Sequence, residues 1–154
     1  MPKTPLQIIE SMGFAFPPPA PPAANYAPYY KIGSFVYISG QLPMHGKDLK
    51  FIGKVGRDFS TDEGYDAAQL CALNILSQLN QATNQDLSLV RNCVKLTGFV
   101  NCTEDFTEQP EVLNGASDLM IRAFGDNGKH ARAAVGVNSL PRGVAVEVEA
   151  IFAL

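Results

Sequence analysis

The amino-acid sequence predicts an α+β domain whose elements follow the order β-β-α-β-α-β-β. Two observations lead to this prediction: two long segments have apolar residues at helical spacing, and shorter segments around them are rich in β-branched or alternating apolar residues. Such an order favours a mixed sheet with both helices on one face. A chain of 154 residues with 46% hydrophobic content has the size of one domain, which we place at residues 26–154 after an N-terminal helix and arm at residues 1–25.

The N-terminal helix has signals at both of its ends. Thr4 is a candidate N-cap, Pro5 occupies the first helical position, Gln7 completes a capping box, and Gly13 ends the helix. The stretch that follows, "FAFPPPAPPAANYAPYY", is too rich in proline for a helix or a central strand and favours an extended arm. Its interleaved aromatic residues indicate that the arm packs against another part of the protein.

The first two strands of the domain are predicted from alternating residues. "SFVYISGQLP" alternates and predicts a strand that ends at Gly40. Residues 50–55, "KFIGKV", are predicted to form its partner strand, with "HGKD" in the turn between them.

The two long helices flank a third strand. The first helix begins with Ser60 and Glu63 at capping-box spacing, and the second ends at Gly125. Between them, "LVRNCVKLTGFVNC" is predicted to be a long strand. The residues expected to face the core are Ala68, Ala72, Ile75 and Leu79 in the first helix, and Val112, Ala116, Leu119, Ala123 and Phe124 in the second.

The C-terminal stretch "ARAAVGVNSLPRGVAVEVEAIF" predicts a closing antiparallel hairpin. With period two, its second half places Val144, Val146, Val148, Ala150 and Phe152 on one face and Ala145, Glu147, Glu149 and Ile151 on the other. "NSLPRG" supplies the turn. A symmetric hairpin would place Arg132 opposite Glu149 and diagonal to Glu147.

Arg132 and the two glutamates allow two interpretations. The first is a cross-strand ion pair on a solvated face, which would contribute little to stability. The second is a site for a small acid, because a guanidinium binds a carboxylate through two hydrogen bonds and a nearby carboxylate can deprotonate water. The sheet face that carries these residues would need a cover, and a second copy of the chain is the simplest one, so we expect an oligomer.

Composition argues against several classes of protein. No apolar run is long enough to span a membrane and no secretory signal is evident, so a cytoplasmic protein is expected. The net charge of −3, without a cluster of Lys and Arg, argues against nucleic acid as a partner. Cys71, Cys93 and Cys102 form no CxxC motif and are interpreted as buried, reduced thiols. His45 and His130 have no companions at metal-ligand spacing, so no metal is expected; His45 is interpreted as a loop residue and His130 as a structural or surface residue, with a place at a site rim as the alternative.

Three stretches, "YISGQLP", "VLNGASDLMIRAFG" and "ARAAVGVNSLPRGVAVEVEAIF", together resemble the YjgF/RidA family of imine and enamine deaminases, which is also known as L-PSP endoribonuclease or translation inhibitor. The resemblance covers about residues 26–153, and the long C-terminal pattern makes it specific. "AAQLCALN", "VKLTGFVN" and "QPEVLNGASDL" are similar to a divergent branch of the family. The resemblance implies a chorismate-mutase-like fold, a homotrimer whose sheets form a central barrel, ligand clefts between subunits, and no cofactor.

The resemblance also implies a reaction, the hydrolysis of 2-imino or 2-enamino acids to 2-keto acids with release of ammonia. Arg132 matches the family's carboxylate-binding arginine, and Glu147 matches the glutamate that positions or activates water. Asn114, Ser39 and Gly40 match residues that line the cleft.

Several positions depart from the family's pattern. The aromatic residue of the N-terminal arm could be Tyr26 or Tyr29, and Ala134 and Gly136 replace the usual cysteine and glutamate. Three hypotheses therefore follow: an imine deaminase that needs both Arg132 and Glu147, a non-catalytic binder or sensor of small carboxylates that needs mainly Arg132, and, with least support, an endoribonuclease.

Overall fold

The chain folds into three α-helices and seven β-strands, and the computed structural model describes residues 1–154. The helices are α1 (Pro5–Ser11), α2 (Thr61–Ala82) and α3 (Gln109–Phe124). The strands are β1 (Tyr29–Ile32), β2 (Phe35–Gln41), β3 (Met44–His45), β4 (Asp48–Leu49), β5 (Asn92–Asn101), β6 (Ala131–Val137) and β7 (Val146–Ala153).

Five of the strands form one mixed sheet in the spatial order β1-β2-β7-β5-β6. All neighbours are antiparallel except β5 and β6, which run parallel. The short strands β3 and β4 form a separate ribbon. Apart from this ribbon, the main elements follow the predicted order β-β-α-β-α-β-β, so the predicted α+β class is confirmed.

The prediction of a strand over residues 50–55 is wrong. β2 pairs with β1 and β7, and "HGKD" forms the turn of the β3–β4 ribbon. Phe51 and Gly53 have φ angles of +52° and +146°, which a regular strand does not contain. The segment is held instead by isolated backbone hydrogen bonds, in which Gly53 N donates to the Gly143 carbonyl oxygen and Ala145 N to that of Phe51 (2.8 Å each). The side chain of Asn101 adds to them: its Nδ2 donates to the carbonyl oxygens of Gly53 (3.3 Å) and Val144 (3.1 Å), and its Oδ1 accepts from Lys54 Nζ (2.7 Å).

The predicted C-terminal hairpin is also wrong. β6 pairs with β5, where Arg132 lies beside Leu96, while β7 inserts between β2 and β5, where Glu149 lies opposite Thr97. β5 therefore separates the two halves of the predicted hairpin. Burial explains the arrangement, because β7 has a continuous apolar stripe that a central position buries, whereas β6 is rich in small residues and stays largely exposed as an edge strand.

The helices begin and end where the sequence predicts. Thr4 and Ser60 each cap a helix within a capping box, completed by Gln7 and Glu63, and Gly125 follows the last residue of α3. Both long helices pack on one face of the sheet. The predicted core residues of both helices are buried except Phe124, which is half-buried.

No helix covers the opposite face of the sheet, which we call the open face. Five apolar side chains of β1, β2 and β6 are exposed on it: Tyr30 (66% exposed), Ile32 (60%), Phe35, Tyr37 and Val135. An exposed apolar surface of this extent marks an interaction face.

The N-terminal segment packs on the domain, as the aromatic residues of the arm predicted. Ile9 of α1 is fully buried, and Phe14 and Phe16 pack against the same core. The arm crosses α2, where Ser77 Oγ donates to the carbonyl oxygen of Pro17 (2.6 Å). No helix is long and apolar enough to cross a lipid bilayer.

Candidate functional site

The first cluster of candidate residues surrounds Glu147 of β7. Its side chain borders a cavity of about 410 Å³, which we call the Glu147 cavity. The walls come from the arm, from the β3–β4 ribbon and from the loop that contains Arg142. Gly40 and Tyr26, two of the predicted site residues, also line it.

The position of the Glu147 carboxylate depends on the glycine at residue 40. The carboxylate lies directly over Gly40, so a β-carbon at that position would overlap with Glu147 Oε1. The pairing of β2 with β7 is irregular between Ile38 and Gln41, which brings Gly40 under the carboxylate. A glycine is therefore required for Glu147 to occupy its place in the cavity.

The environment of Glu147 makes its carboxylate a stronger base than an ordinary glutamate. Glu147 is half-buried, and burial raises the pKa of its carboxyl group, with a further contribution from the nearby charge of Glu149. A carboxyl group with a raised pKa is better suited to accept a proton near neutral pH.

The second cluster surrounds Arg132, on the helix-facing side of the edge strand β6. Its Nη1 donates to Asn114 Oδ1 (2.8 Å) and to Ser117 Oγ (3.2 Å), both on α3. These partners are neutral, and the ion pairs of the structure, Arg57–Asp58 and Lys129–Asp126, do not involve Arg132. The Arg132 cluster borders a depression of about 290 Å³ and keeps a guanidinium charge that no carboxylate of the chain neutralises.

A hydrogen-bond chain orients Arg132 from behind. His130 Nδ1 lies 2.6 Å from the carbonyl oxygen of Gly128, which can only accept, so we assign the ring proton to Nδ1. His130 Nε2 then accepts from Ser117 Oγ at 2.8 Å, and Ser117 in turn accepts from Arg132. Sequence reasoning missed Ser117, although Asn114 and Ser117, three residues apart on one helix, are the signal that could have found it.

The other candidate residues lie outside both clusters. Ser39 Oγ donates to the carbonyl oxygen of Ala27 (2.6 Å) and so holds the end of the arm. Tyr29 pairs with Ile38 on the helix-facing side and packs against the core, so Tyr26 is the arm tyrosine that reaches a cavity. Sequence reasoning also missed Arg142 and Lys47, two basic residues that lie in turns and line the Glu147 cavity.

The expectation that Arg132 and the glutamates share one sheet face is wrong. Arg132 lies beside Leu96, which faces the helices, whereas Glu147 lies opposite Phe99 on the open face. Within one chain the two groups belong to separate clusters.

The three thiols are buried, as predicted. Burial raises the pKa of Cys71 well above its ordinary value and that of Cys93 to about 12, so neither is a ready nucleophile. No group of three or more His, Cys, Asp or Glu side chains is placed to hold a metal ion.

Comparison with known sequences identifies the family. A sequence model described as "YjgF/chorismate_mutase-like, putative endoribonuclease" matches residues 8–151. The chain belongs to this family. It is 45% identical over 147 residues to Protein TCP17 of Trypanosoma cruzi, covering 95% of this chain and 91% of that protein. It is 30% identical over 129 residues to the RutC family protein y4sK of Sinorhizobium fredii, covering 84% and 86%.

Solved structures agree with this assignment. The protein Atu1372 of Agrobacterium tumefaciens, of unknown function, has a TM-score of 0.91 at 44% identity and covers 98% of this chain and 93% of its own. RidA from the Antarctic bacterium Psychrobacter sp. PAMC 21119 has a TM-score of 0.60 at 26% identity, covering 90% and 94%. The YjgF/RidA resemblance of the sequence is thereby confirmed, and the chain is similar to Atu1372 in more detail than to RidA.

Proposed function

We propose that this YjgF/RidA family member hydrolyses small reactive 2-imino or 2-enamino acids to 2-keto acids and ammonia. One observation carries the proposal: the chain combines a guanidinium without a counter-charge, at Arg132, with a carboxylate of raised pKa, at Glu147. Gly40 leaves the space that this carboxylate occupies. The guanidinium and the Glu147 carboxylate are a clamp for a substrate carboxylate and a base for water, the two groups that hydration of an imine requires.

The site requires residues from two copies of the chain. Arg132 and Glu147 lie on opposite faces of the sheet with β5 between their strands, so one copy does not bring them together. The edge strand β6, which carries Arg132, is largely exposed on both faces, and the open face has exposed apolar side chains on β1, β2 and β6. We place the cleft between the Arg132 cluster of one copy and the Glu147 cavity of the next, in the homotrimer that the family resemblance implies.

The reaction uses Arg132 to hold the substrate and Glu147 to move a proton. Arg132, held by Asn114 and Ser117, binds the substrate carboxylate through two hydrogen bonds. Glu147 takes a proton from water while the water oxygen bonds to C2, and it then passes this proton to the former imine nitrogen as the C=N bond becomes single. The resulting tetrahedral species loses its C–N bond as the C2 hydroxyl becomes a carbonyl, and the hydroxyl proton leaves with the departing ammonia.

A second candidate function is binding of small carboxylates without turnover. It is supported by the Arg132 cluster, which is already assembled within one chain and does not need Glu147. An endoribonuclease role, which the family description names, has less support, because a net charge of −3 gives little attraction for RNA.

The test is release of 2-keto acid and ammonia from imines that an amino-acid oxidase generates in situ. Wild-type protein should exceed the buffer rate, and Glu147→Gln should lower kcat by the roughly 10²- to 10⁴-fold that a general base contributes while leaving 2-oxobutanoate affinity nearly unchanged. Glu111→Gln, an exposed glutamate of α3, is the matched control and should behave as wild type. Ketoacid binding without hydrolysis would favour the non-catalytic binder, and RNA cleavage that requires Glu147 would favour the nuclease.

A further inference from the structure

We propose that the N-terminal arm, residues 17–26, is a specificity wall of the Glu147 cavity, and that it selects 2-imino acids with long apolar side chains over the smallest ones. This inference rests on the proposed function and adds the substrate class. Three features support it: the attachment of the arm to the domain, the wall that the arm faces, and the size of the Glu147 cavity.

The arm is fixed on α2 by two buried polar side chains. Ser77 and Gln78 are 3% and 2% exposed, in a stretch of α2 that is otherwise apolar except for Asn74. Ser77 Oγ donates to the carbonyl oxygen of Pro17 (2.6 Å), and Gln78 Nε2 donates to that of Ala20 (2.8 Å). Buried polar groups are costly without partners, and here their partners are the arm's backbone, so the arm is a built part of the domain.

The other end of the arm is fixed on β2. Ser39 Oγ donates to the carbonyl oxygen of Ala27 (2.6 Å), and the backbone N–H of Ser39 donates to that of Pro28 (3.0 Å). The segment between these attachments contains Pro21 and Tyr26, both of which line the Glu147 cavity. A proline-rich segment held at both ends has little freedom to move away from a ligand.

The β3–β4 ribbon forms the facing wall and is equally fixed. Met44 and Leu49 pair across the ribbon and both line the cavity. Asn74 of α2 is buried, and its Nδ2 donates to the carbonyl oxygen of Met44 (2.9 Å). Together with Leu42, these residues and the arm line a largely apolar cavity beside Glu147, which Lys47 and Arg142 also border.

The size of the cavity argues for a substrate larger than a three- or four-carbon acid. Its volume of about 410 Å³ is within the roughly 300–1,000 Å³ of pockets that hold drug-sized ligands. With C2 of the substrate beside Glu147, the side chain of an imino acid would extend between the arm and the ribbon. Each methylene group buried there should improve binding by about fourfold.

The experiment compares binding of 2-oxobutanoate and 4-methyl-2-oxopentanoate to the full-length protein by titration calorimetry. The longer acid should bind at least about tenfold more tightly. Ala20→Phe should fill part of the cavity and remove this preference, because it should weaken binding of 4-methyl-2-oxopentanoate much more than that of 2-oxobutanoate. Ala24→Phe, on the same arm but outside the cavity lining, is the matched control and should keep the preference.

A second variant is needed because Ala20→Phe could shift the whole arm instead of only filling the cavity. Gln78→Met keeps the volume of the side chain but removes the donor to the Ala20 carbonyl oxygen, and it should reduce the preference by weakening binding of the longer acid more than that of 2-oxobutanoate. Equal wild-type affinities for the two acids, or parallel weakening of both by Ala20→Phe and Gln78→Met, would overturn the specificity wall while leaving the proposed reaction intact. If neither acid binds and no imine is hydrolysed, the proposed function fails together with it.

Discussion

At the scale of single residues, the surroundings of Glu147 explain why its carboxylate suits the proton-accepting role that we propose for it. Burial raises the pKa of its carboxyl group, Glu149 adds to the effect, and Gly40 leaves the space that the carboxylate occupies. Each of these influences can be changed separately by substitution.

We expect Glu149→Gln to move the acidic limb of the pH profile to lower pH. Glu147 must be deprotonated to accept a proton, so kcat/KM falls as the pH decreases through its pKa. Removing the charge of Glu149 removes one of the two causes that raise this pKa, whereas burial remains. The measurement is kcat/KM against pH, with Glu111→Gln as the control. If kcat/KM falls at the same pH in both variants, Glu149 does not raise the pKa of Glu147.

The raised pKa of Glu147 should also have a cost in stability. A carboxyl group whose pKa is higher in the folded protein than the 4.5 of the unfolded state loses stabilisation as the pH rises through the folded value. Glu147→Gln should therefore raise Tm at pH 7.5, and the difference should shrink as the pH approaches 4.5. Thermal melts across this range measure it, and a pH-independent difference in Tm would contradict the explanation.

Arg132 should be sensitive to a substitution that keeps its charge. Arg132→Lys loses the two-pronged geometry, so binding of 2-oxobutanoate should weaken by about 1.5–3 kcal/mol, roughly ten- to a hundredfold. Arg132→Ala should abolish binding. Arg57→Lys, at an exposed ion pair, is the control, and calorimetry showing equal affinity in all four proteins would leave Arg132 as a surface residue.

At the scale of elements, the helices could be predicted and part of the strand pairing could not. Ser60 and Glu63 predict the start of α2 because a capping box is a contact within one helical turn. Both of its partners therefore lie within a few residues of each other in the sequence. The pairing of β6 with β5 depends instead on competition between distant strands for the buried positions of the sheet. A period-two pattern predicts that a segment is a strand, but it does not predict which strands pair with it.

The segment of residues 50–55 illustrates the same limit. Its alternation resembles a strand, but Phe51 has a positive φ, and the segment is attached through isolated backbone hydrogen bonds to residues 143–145 and through the side chain of Asn101. Isolated backbone hydrogen bonds and one buried amide leave no periodic signal in the segment itself.

We expect Asn101→Ala to destabilise the protein by about 1–3 kcal/mol. The substitution leaves the buried Val144 carbonyl oxygen without the Asn101 donor, whereas Lys54 Nζ keeps its hydrogen bond to the Asn138 carbonyl oxygen (2.6 Å). Urea denaturation followed by circular dichroism measures the free energy of unfolding. Asn92→Ala, at the exposed start of β5, is the control and should change it by less than about 0.5 kcal/mol; equal losses would mean that Asn101 holds nothing.

At the scale of the whole molecule, the residues of the candidate site could be predicted but their arrangement could not. The resemblance to the YjgF/RidA family pointed to Arg132 and Glu147 from local motifs. Their separation by β5 is a property of the sheet order, and their proposed meeting is a property of an assembly, so neither is contained in the pattern of one segment.

The open face provides the test of that assembly. Wild-type protein should be a trimer in analytical ultracentrifugation, and Tyr37→Glu, which places a charge at an exposed apolar position of that face, should dissociate it and abolish turnover. Leu89→Glu changes an equally exposed apolar residue away from the sheet and should remain trimeric. A wild-type monomer at micromolar concentration would remove the two-copy site.

The central position of β7 has a consequence for how the protein is made. The ribosome produces β7 after β1, β2, β5 and β6, yet β7 holds the pairs β1–β2 and β5–β6 in one sheet. Until residues 146–153 emerge, the nascent chain has two unjoined strand pairs and two amphipathic helices without a complete surface to cover. The sheet should therefore complete its folding only after β7 has been made, and a chain stalled before β7 should be a substrate for chaperones and proteases.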